Sequence, residues 1–491
     1  MVLGPLGVGP ELTNARMAHR QSMAASPARG EHLRRSVSVD IARIAPSGSV
    51  VARFAGLAVP RYMWGTMGVL VLVGCTASLN SGVLGWTAAV YQQRGSARLS
   101  IVGMLTIVAL AEATLRIAVE RPRELAVAPG VTAWLVWLTA LFVLVIGQGV
   151  YLGHLQHAGG YVVEAAPAML LVMVPWLVFV VVRTRQDLLC IERWILLLGV
   201  FQATVGIANV VFGTGYDVGG QVLANYAGGP LLIILSAFFI ALGRATRGKD
   251  GRRLALIVIA VTMVSIVLSQ RRSFDLATGL FGVGFIMVAL VKRPGFLLIA
   301  GTVLTLAVSG FVIEGGSLVA LSSGGSANYA AVHGQIGDQY RNSERANVLA
   351  ALAANPLGGL GFGVPWVQTK PLPGYFTGNF NYTHIGFLWF WMKMGLLGMI
   401  GYVCFLISGI AMSVRAAIGD REAPALVVVA GLTLGADIIL EFTATFTGSD
   451  PQYTWFLALM FGIAAAALRM RRGSVAGATD RVRRVRGASG A

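Results

Sequence analysis

Two adjacent arginines, Arg271 and Arg272, stand in the short polar stretch LSQRRSFD at residues 268–275, between two apolar segments. A guanidinium group is planar, stays charged at every relevant pH and binds phosphate through two parallel hydrogen bonds. Charged groups beside apolar segments need partners, because desolvation penalises them. The pair therefore predicts an anion site. The alternative is that the arginines reach lipid headgroups or pair with Asp275.

A second pair of arginines, Arg341 and Arg345, lies in the stretch DQYRNSERANVLAALAANP at residues 338–356. The spacing of apolar residues predicts a helix from Tyr340 to Ala354, and Pro356 ends it. Residues four positions apart lie one turn apart on a helix, so both arginines can aim at a single anion. The alternative is an amphipathic helix whose arginines face headgroups. The predicted stripe contains Arg341, Arg345, Val348, Leu349 and Leu352.

A histidine, His384, stands among aromatic residues in NFNYTHIGFLWFWMKMGLLG at residues 379–398, where a polar segment meets an apolar one. Aromatic residues of this kind favour the membrane interface. A neutral imidazole at such a boundary can serve as a general base. A single histidine can also have a purely structural role, and the residue pattern leaves both interpretations open.

A glycine-rich loop, NPLGGLGFGVPW at residues 355–366, places Gly359, Gly361 and Gly363 after Pro356. A dinucleotide fingerprint needs a βαβ unit and a Walker A loop needs Gly-Lys-Ser/Thr, and the sequence here fits neither. We interpret the glycines as a tight reversal in which backbone approaches backbone. Residues 315–383 contain few acidic side chains, so neither a metal site nor a metal-dependent transfer is expected there. No cofactor is expected.

The composition is that of a membrane protein. Of 491 residues, 56% are hydrophobic and 12% are charged, whereas soluble domains carry roughly 25% charged residues. Unbroken apolar segments recur between residues 63 and 469, and many reach the ~20 residues that cross a bilayer. Strands are excluded as the main element, because membrane strands alternate. The predicted fold class is an all-α polytopic membrane protein with about 12 transmembrane helices and a long outer loop between helices 9 and 10.

The distribution of basic residues predicts an orientation and accounts for the net charge of +17. With the N-terminus inside, Lys and Arg cluster in the even-numbered connections, whereas the outer turns at 153–160 and 213–220 contain none. Both termini are therefore expected in the cytoplasm, and no nucleic-acid partner is expected. Seven basic residues fall on the outer side against this rule, so topology does not explain their presence: Arg94, Arg98, Arg271, Arg272, Arg341, Arg345 and Lys370.

Five segments follow from these patterns. The predicted order is a disordered basic cytoplasmic tail (1–60), helices 1–9 (61–314), the outer loop with its amphipathic helix and Gly-rich turn (315–383), helices 10–12 (384–470) and an Arg-rich cytoplasmic tail (471–491).

The order of these features resembles the O-antigen ligase family, which also includes polysaccharide polymerases and protein O-oligosaccharyltransferases. The family motif has an arginine, about fifteen residues, and then Pro-Leu-x-Gly-x-Gly-x-Gly. A histidine at the head of the next span follows, with Gly-Leu-x-Gly about eleven residues further on. In this chain the arginine is Arg341, the proline is Pro356 and the histidine is His384.

The arginine that the family has before its eighth span matches Arg271 or Arg272. Two positions depart from the family pattern. Ile385 follows the histidine where asparagine is usual, and Arg345 stands where tryptophan is common. The motif resemblance covers about 60 residues, whereas the resemblance in topology covers most of the chain.

The resemblance implies a GT-C-like glycosyltransferase architecture in the bacterial cytoplasmic (inner) membrane, with the active site facing the periplasm. The expected reaction transfers a glycan from a polyprenyl-pyrophosphate carrier to a glycan, lipid or protein hydroxyl, with inversion and without metal or nucleotide. Arg271 or Arg272 and Arg341, with Arg345 beside it, would hold the pyrophosphate, and His384 would activate the hydroxyl. Besides substrates, membrane lipids are the expected partners.

Other readings remain open. Within the family, the chain can be a ligase, a polymerase of O-antigen or exopolysaccharide, or an oligosaccharyltransferase. In another class, it can be a transporter or flippase for a lipid-linked glycan. Transporters place ionisable residues at the bilayer midplane, and Asp437 and Glu441 lie within a predicted span. The other notable charges gather at the outer side, which favours an enzyme.

Overall fold

Long apolar helices make up most of the described part of the chain, as the unbroken hydrophobic segments predict. The computed structural model describes residues 59–76, 105–114, 129–213, 216–218, 221–223, 228–245, 252–269, 278–279, 282–286, 327–372, 382–418, 423–443, 447 and 450–488. The predicted all-α fold class is confirmed over these residues. The expected N-terminal tail and the turn with Arg271 and Arg272 lie outside them.

The described helices and strands follow one another along the chain in this order. The first elements are α1 (Trp64–Thr76), α2 (Leu105–Thr114), α3 (Pro129–Leu155), α4 (Tyr161–Val181) and α5 (Arg185–Val211). Next come strands β1 (Tyr216–Val218) and β2 (Gln221–Leu223), α6 (Gly228–Ala245) and α7 (Arg252–Ser269). The last are α8 (Ala327–Ala353), α9 (Gly386–Ile418), α10 (Ala425–Thr443) and α11 (Pro451–Ala488).

Six of these helices are long and apolar enough to cross a membrane: α3, α4, α5, α7, α9 and the part of α11 up to Arg472. Three shorter apolar stretches, in α2, α6 and α10, also occur in the described residues. The total of about twelve spans stays a prediction, because several expected spans fall on residues outside the described part.

Helix α11 is the centre of the bundle. Its apolar part is buried on every side, from Tyr453 to Leu468, as expected for a helix that is hydrophobic all round. It packs against α4, α9 and α10. Aromatic rings hold the contact with α9, where Phe461 stacks on Phe405 at 4.1 Å between ring centroids. The helix also continues as far as Ala488, through the segment expected as an Arg-rich tail.

Local sequence sets several helix ends. Thr184 caps α5 by accepting a hydrogen bond from the backbone N–H of Asp187, whose carboxylate accepts one from the backbone N–H of Thr184 in return. Gly160, with a φ of 72°, ends the turn before α4. The sequence predicts a sixth span over residues 219–243. Instead, a two-stranded antiparallel hairpin pairs Tyr216 with Leu223 there, and the helix begins at Gly228.

Candidate functional site

His384 lies two residues before α9 and contacts a buried carboxylate of α8. The Nδ1 atom of His384 is 3.2 Å from both Oε1 and Oε2 of Glu344. The backbone N–H of His384 also donates to Oε2 of Glu344, at 3.0 Å. The Glu344 side chain is 1% exposed, whereas 32% of the His384 side chain is exposed. The carboxylate therefore holds the histidine from within, while part of the imidazole stays open to the outside.

Two tyrosine rings flank the imidazole. Tyr340 and Tyr382 meet His384 edge-on, with ring centroids at 5.4 and 5.2 Å. The Tyr340 hydroxyl donates a long hydrogen bond of 3.5 Å to Oε1 of Glu344. Burial, followed by the charge of Glu344, raises the pKa of Tyr340 to about 12, so the phenol keeps its proton. The rings restrict how the imidazole can turn.

Helix α8 presents Arg341 and Arg345 on its exposed side. The buried face of α8 differs from the predicted stripe that contains Arg341 and Arg345. The residues of α8 that are buried in this region are Tyr340, Glu344, Asn347, Val348 and Leu352. The two arginines and Leu349 lie about one residue round the helix from this face, because each residue advances the helix by about 100°. Polar Glu344 and Asn347 can be buried because His384 and the chain at Thr369 and Lys370 form hydrogen bonds with them.

Asn347 fixes the path of the chain that leads from the glycine-rich loop to His384. Its Oδ1 accepts hydrogen bonds from the backbone N–H of Thr369 at 2.9 Å and of Lys370 at 2.6 Å. Its Nδ2 donates to the carbonyl oxygen of Lys370 at 3.0 Å. Further along, the indole N–H of Trp366 donates to the carbonyl oxygen of Tyr382 at 2.9 Å. These bonds tie α8, the loop and the residues before His384 together.

The glycine-rich loop passes between α3 and α9 through close backbone contacts. Gly359, Gly361 and Gly363 all have positive φ angles, of 73°, 99° and 75°, which side chains other than glycine disfavour. A Cβ atom on Gly361 would lie 2.8 Å from the backbone nitrogen of Gly153, and one on Gly359 would lie 2.7 Å from the Met392 carbonyl oxygen. The glycines thus provide both the turn and the room for it.

A break in α9 receives the start of this loop. Gly395 has a φ of 74° and a ψ of −179°, so the helix is interrupted there. The freed backbone groups pair with the loop: the N–H of Leu396 donates to the Leu357 carbonyl oxygen at 3.2 Å, and the Met392 carbonyl oxygen accepts from the Leu360 N–H at 2.7 Å. Breaks of this kind are tolerated in membrane helices when neighbouring groups satisfy the backbone.

A buried ion pair anchors the far end of the loop. Nζ of Lys393, in α9, is 3.1 Å from Oε1 of Glu164, in α4, and donates to the Val364 carbonyl oxygen at 2.9 Å. The other Glu164 oxygen accepts a hydrogen bond from the Gly363 backbone N–H. The Lys393 side chain is fully buried and that of Glu164 is 20% exposed. The pair thereby links two helices and the loop.

The structure brings together three of the predicted features: His384, the helix with Arg341 and Arg345, and the loop with Pro356 and its glycines. Arg271 and Arg272 lie outside the described residues. Sequence reasoning missed Glu344 as the histidine's partner. Its signal was its place four residues after Tyr340, on the face of α8 that is buried. The ion pair between Lys393 and Glu164, two charged residues within apolar segments, was missed as well.

A second polar cluster lies inside the helix bundle. Asp437 accepts hydrogen bonds from the hydroxyl groups of Tyr402 and Tyr453, the latter at 2.5 Å, and from Thr447 at 3.4 Å. Glu441, one turn further along α10, accepts one from the Thr447 backbone N–H at 3.0 Å. All these side chains are buried. Among the described residues, no three His, Cys, Asp or Glu side chains are grouped to hold a metal ion.

The six long apolar helices indicate a multi-pass helical membrane protein. Residues 254–403 match the family model described as O-antigen ligase. This match contains Arg341, Glu344, the glycine-rich loop and His384, and it confirms the resemblance to the O-antigen ligase or Wzy-like family that the motifs predict. A comparison with curated proteins gives no match. The family supports a glycosyltransferase-like activity on lipid-linked glycans, in polysaccharide biosynthesis at the inner membrane.

Proposed function

We propose that the chain is a metal-independent, inverting glycosyltransferase. It transfers a glycan from a polyprenyl-pyrophosphate carrier to an acceptor hydroxyl at the outer face of the cytoplasmic membrane. The observation that carries this proposal is the contact between His384 and Glu344. It joins the histidine of the family motif to the helix of the motif arginine, Arg341, although the two are more than forty residues apart in sequence.

In this reaction, the acceptor oxygen attacks the anomeric carbon, and the bond from that carbon to the pyrophosphate breaks. The leaving group takes the electron pair, and His384 takes the proton of the attacking hydroxyl. One displacement at the carbon inverts its configuration. His384 suits this role because Glu344 engages Nδ1 and leaves Nε2 for the substrate.

The leaving pyrophosphate gains negative charge in the transition state. Arginine side chains fixed beside it would stabilise that charge more than they stabilise the bound substrate, which is what raises the rate. Arg341 and Arg345 are exposed on the helix that holds Glu344, which supports their assignment to the pyrophosphate. Arg271 and Arg272 are proposed for the same group on the strength of the family motif alone.

The distribution of basic residues supports an orientation with both termini in the cytoplasm and the site outside. In agreement with it, the glycine-rich loop contacts the turn at 153–160, which has no Lys or Arg. Two parts of the chain that this orientation puts outside are therefore neighbours.

The test uses purified protein in detergent with lipid-linked glycans extracted from the membranes of the bacterium that encodes the chain. We expect transfer to an added acceptor extract, and loss of transfer in His384→Ala and Arg341→Ala. Persistent transfer in both variants would overturn the assignment, and a flippase would form no product. Deleting the gene separates the family's three options, because loss of a glycan cap, of chain length or of glycoprotein identifies a ligase, a polymerase or an oligosaccharyltransferase.

A further inference from the structure

We propose that Glu344 is a positioning residue that fixes the tautomer and the orientation of His384 for proton transfer. The proposal rests on the proposed function, since it concerns the same site. It assigns a role to a residue that stands between the two arginines of α8 and that the motif does not contain.

The carboxylate of Glu344 contacts His384 through both of its oxygen atoms. Both carboxylate oxygens lie 3.2 Å from Nδ1 of His384, and Oε2 also accepts the backbone N–H of the same residue at 3.0 Å. An ionised carboxylate only accepts hydrogen bonds. Nδ1 must therefore carry the proton, and Nε2 is then the basic nitrogen.

The neighbouring groups restrict how the Glu344 carboxylate and the His384 imidazole can be oriented. A buried carboxylate costs free energy unless it is hydrogen-bonded, so its oxygens stay on their donors. Those donors are the two N–H groups of His384 and the hydroxyl of Tyr340. The edge-on rings of Tyr340 and Tyr382 limit rotation of the imidazole. In Ser-His-Asp triads, a buried carboxylate holds the catalytic imidazole in the correct tautomer and orientation in the same way.

A purely structural reading gives Glu344 the task of joining α8 to the start of α9. Asn347 offers the matched control, because it is buried on the same face of α8 and holds the chain at Thr369 and Lys370. Glu344→Gln and Asn347→Asp each exchange oxygen and NH₂ in a side chain of nearly unchanged shape. Only the first removes the acceptor pair from His384.

The experiment measures transfer with the extracted lipid-linked glycans and the unmodified, purified full chain, normalised to folded protein by size-exclusion chromatography. We expect Glu344→Gln to lower the rate at saturating donor at least about tenfold, because its NH₂ can donate to Nδ1 and reverse the tautomer. The donor concentration for half-maximal rate should stay within about twofold. Glu344→Asp, which keeps the acceptor-only group, should retain more activity than Glu344→Gln, and Asn347→Asp should retain most of it.

The double variant separates positioning from structure. In a His384→Ala background, Glu344→Gln should cause no further loss of rate, because the group it positions is gone. Additive losses, or a Glu344→Gln protein as active as the unmodified one, would overturn the positioning role while transfer by the unmodified chain still upholds the proposed function. Absence of transfer by the unmodified chain would overturn both.

Discussion

Glu344 and Asp437 are both buried carboxylates, and their surroundings differ. Glu344 contacts an imidazole that is one-third exposed, and its helix also exposes Arg341 and Arg345. Asp437 contacts phenol and threonine hydroxyls that are themselves buried. The first group therefore leaves a proton acceptor open to a substrate. In the second, every named donor points inward.

A charge inside a predicted span therefore does not by itself indicate a transport pathway. Asp437 and Glu441 lie within a predicted span, and carboxylates inside the membrane often belong to transport pathways. In the structure, Asp437 joins α9, α10 and α11 through Tyr402 and Tyr453. Its contacts suit a role in helix packing, whereas the contacts of Glu344 suit a role in chemistry.

The largest expected effect tests this comparison directly. His384→Ala should lower the rate of transfer about 10²- to 10⁴-fold, because it removes the proposed base. Asp437→Asn, in the buried cluster, should keep the rate within about tenfold when it is normalised to folded protein. Both are measured by product formation from lipid-linked glycan. Equal losses of transfer in the two variants would show that the buried cluster takes part in the reaction, and the two carboxylates would then not differ in role.

The ion pair that anchors the glycine-rich loop gives the next effect. Glu164→Gln should destabilise the protein by about 3–5 kcal/mol, because it leaves the fully buried Lys393 without its counter-charge. Lys393→Met should cost less, since Glu164 can reach solvent. The double variant should recover part of the loss. Thermal unfolding in detergent measures all three, and a double variant that loses the sum of both single effects would contradict the pairing.

The break in α9 gives a smaller effect on the same region. Gly395→Ala should lower stability by about 1–3 kcal/mol and reduce transfer, because alanine disfavours a φ of 74° and its Cβ would overlap the backbone of Gly358. Gly147→Ala, in α3, is the control, since its Cβ would meet no atom within 4 Å; it should stabilise the helix by about 0.5–1 kcal/mol. Similar melting curves for the two variants would show that the loop does not depend on this break.

The smallest effect on transfer is expected in the buried cluster around Asp437. Tyr453→Phe removes one donor to Asp437 and should lower stability by about 1–3 kcal/mol. Transfer per folded molecule should stay within about twofold. Tyr151→Phe, in a side chain that is 60% exposed, should change neither quantity. A large drop in transfer for Tyr453→Phe at unchanged stability would assign the cluster to the reaction.

Some of the site could be read from the sequence because its signals are local. Helix α8 is predicted by apolar spacing within a few turns, and the helix of the structure ends at Ala353, close to the Pro356 that predicts its end. The reversal after it follows from glycine spacing. His384 stands out by its place at the head of an apolar segment. Each of these features depends on neighbouring residues only.

Other features could not be read, because they depend on which helices become neighbours. The burial of Glu344 and Asn347 could not be read, since the spacing of apolar residues does not reveal which distant parts of the chain form hydrogen bonds with them. The start of α6 was predicted too early, because residues 216–218 and 221–223 pair as antiparallel strands. Neither outcome follows from local hydrophobicity.

The helical membrane class and the order of the arginine, glycine and histidine motifs can be read from the sequence. The lengths of apolar segments and the spacing of motifs are properties of the linear chain. Only the tertiary structure decided that Glu344 contacts His384, that Lys393 contacts Glu164 and that the loop enters the break at Gly395. These contacts join residues between about forty and more than two hundred positions apart. Polar groups can leave water without a large cost only when they pair with one another, and these pairs cannot form before the helices pack.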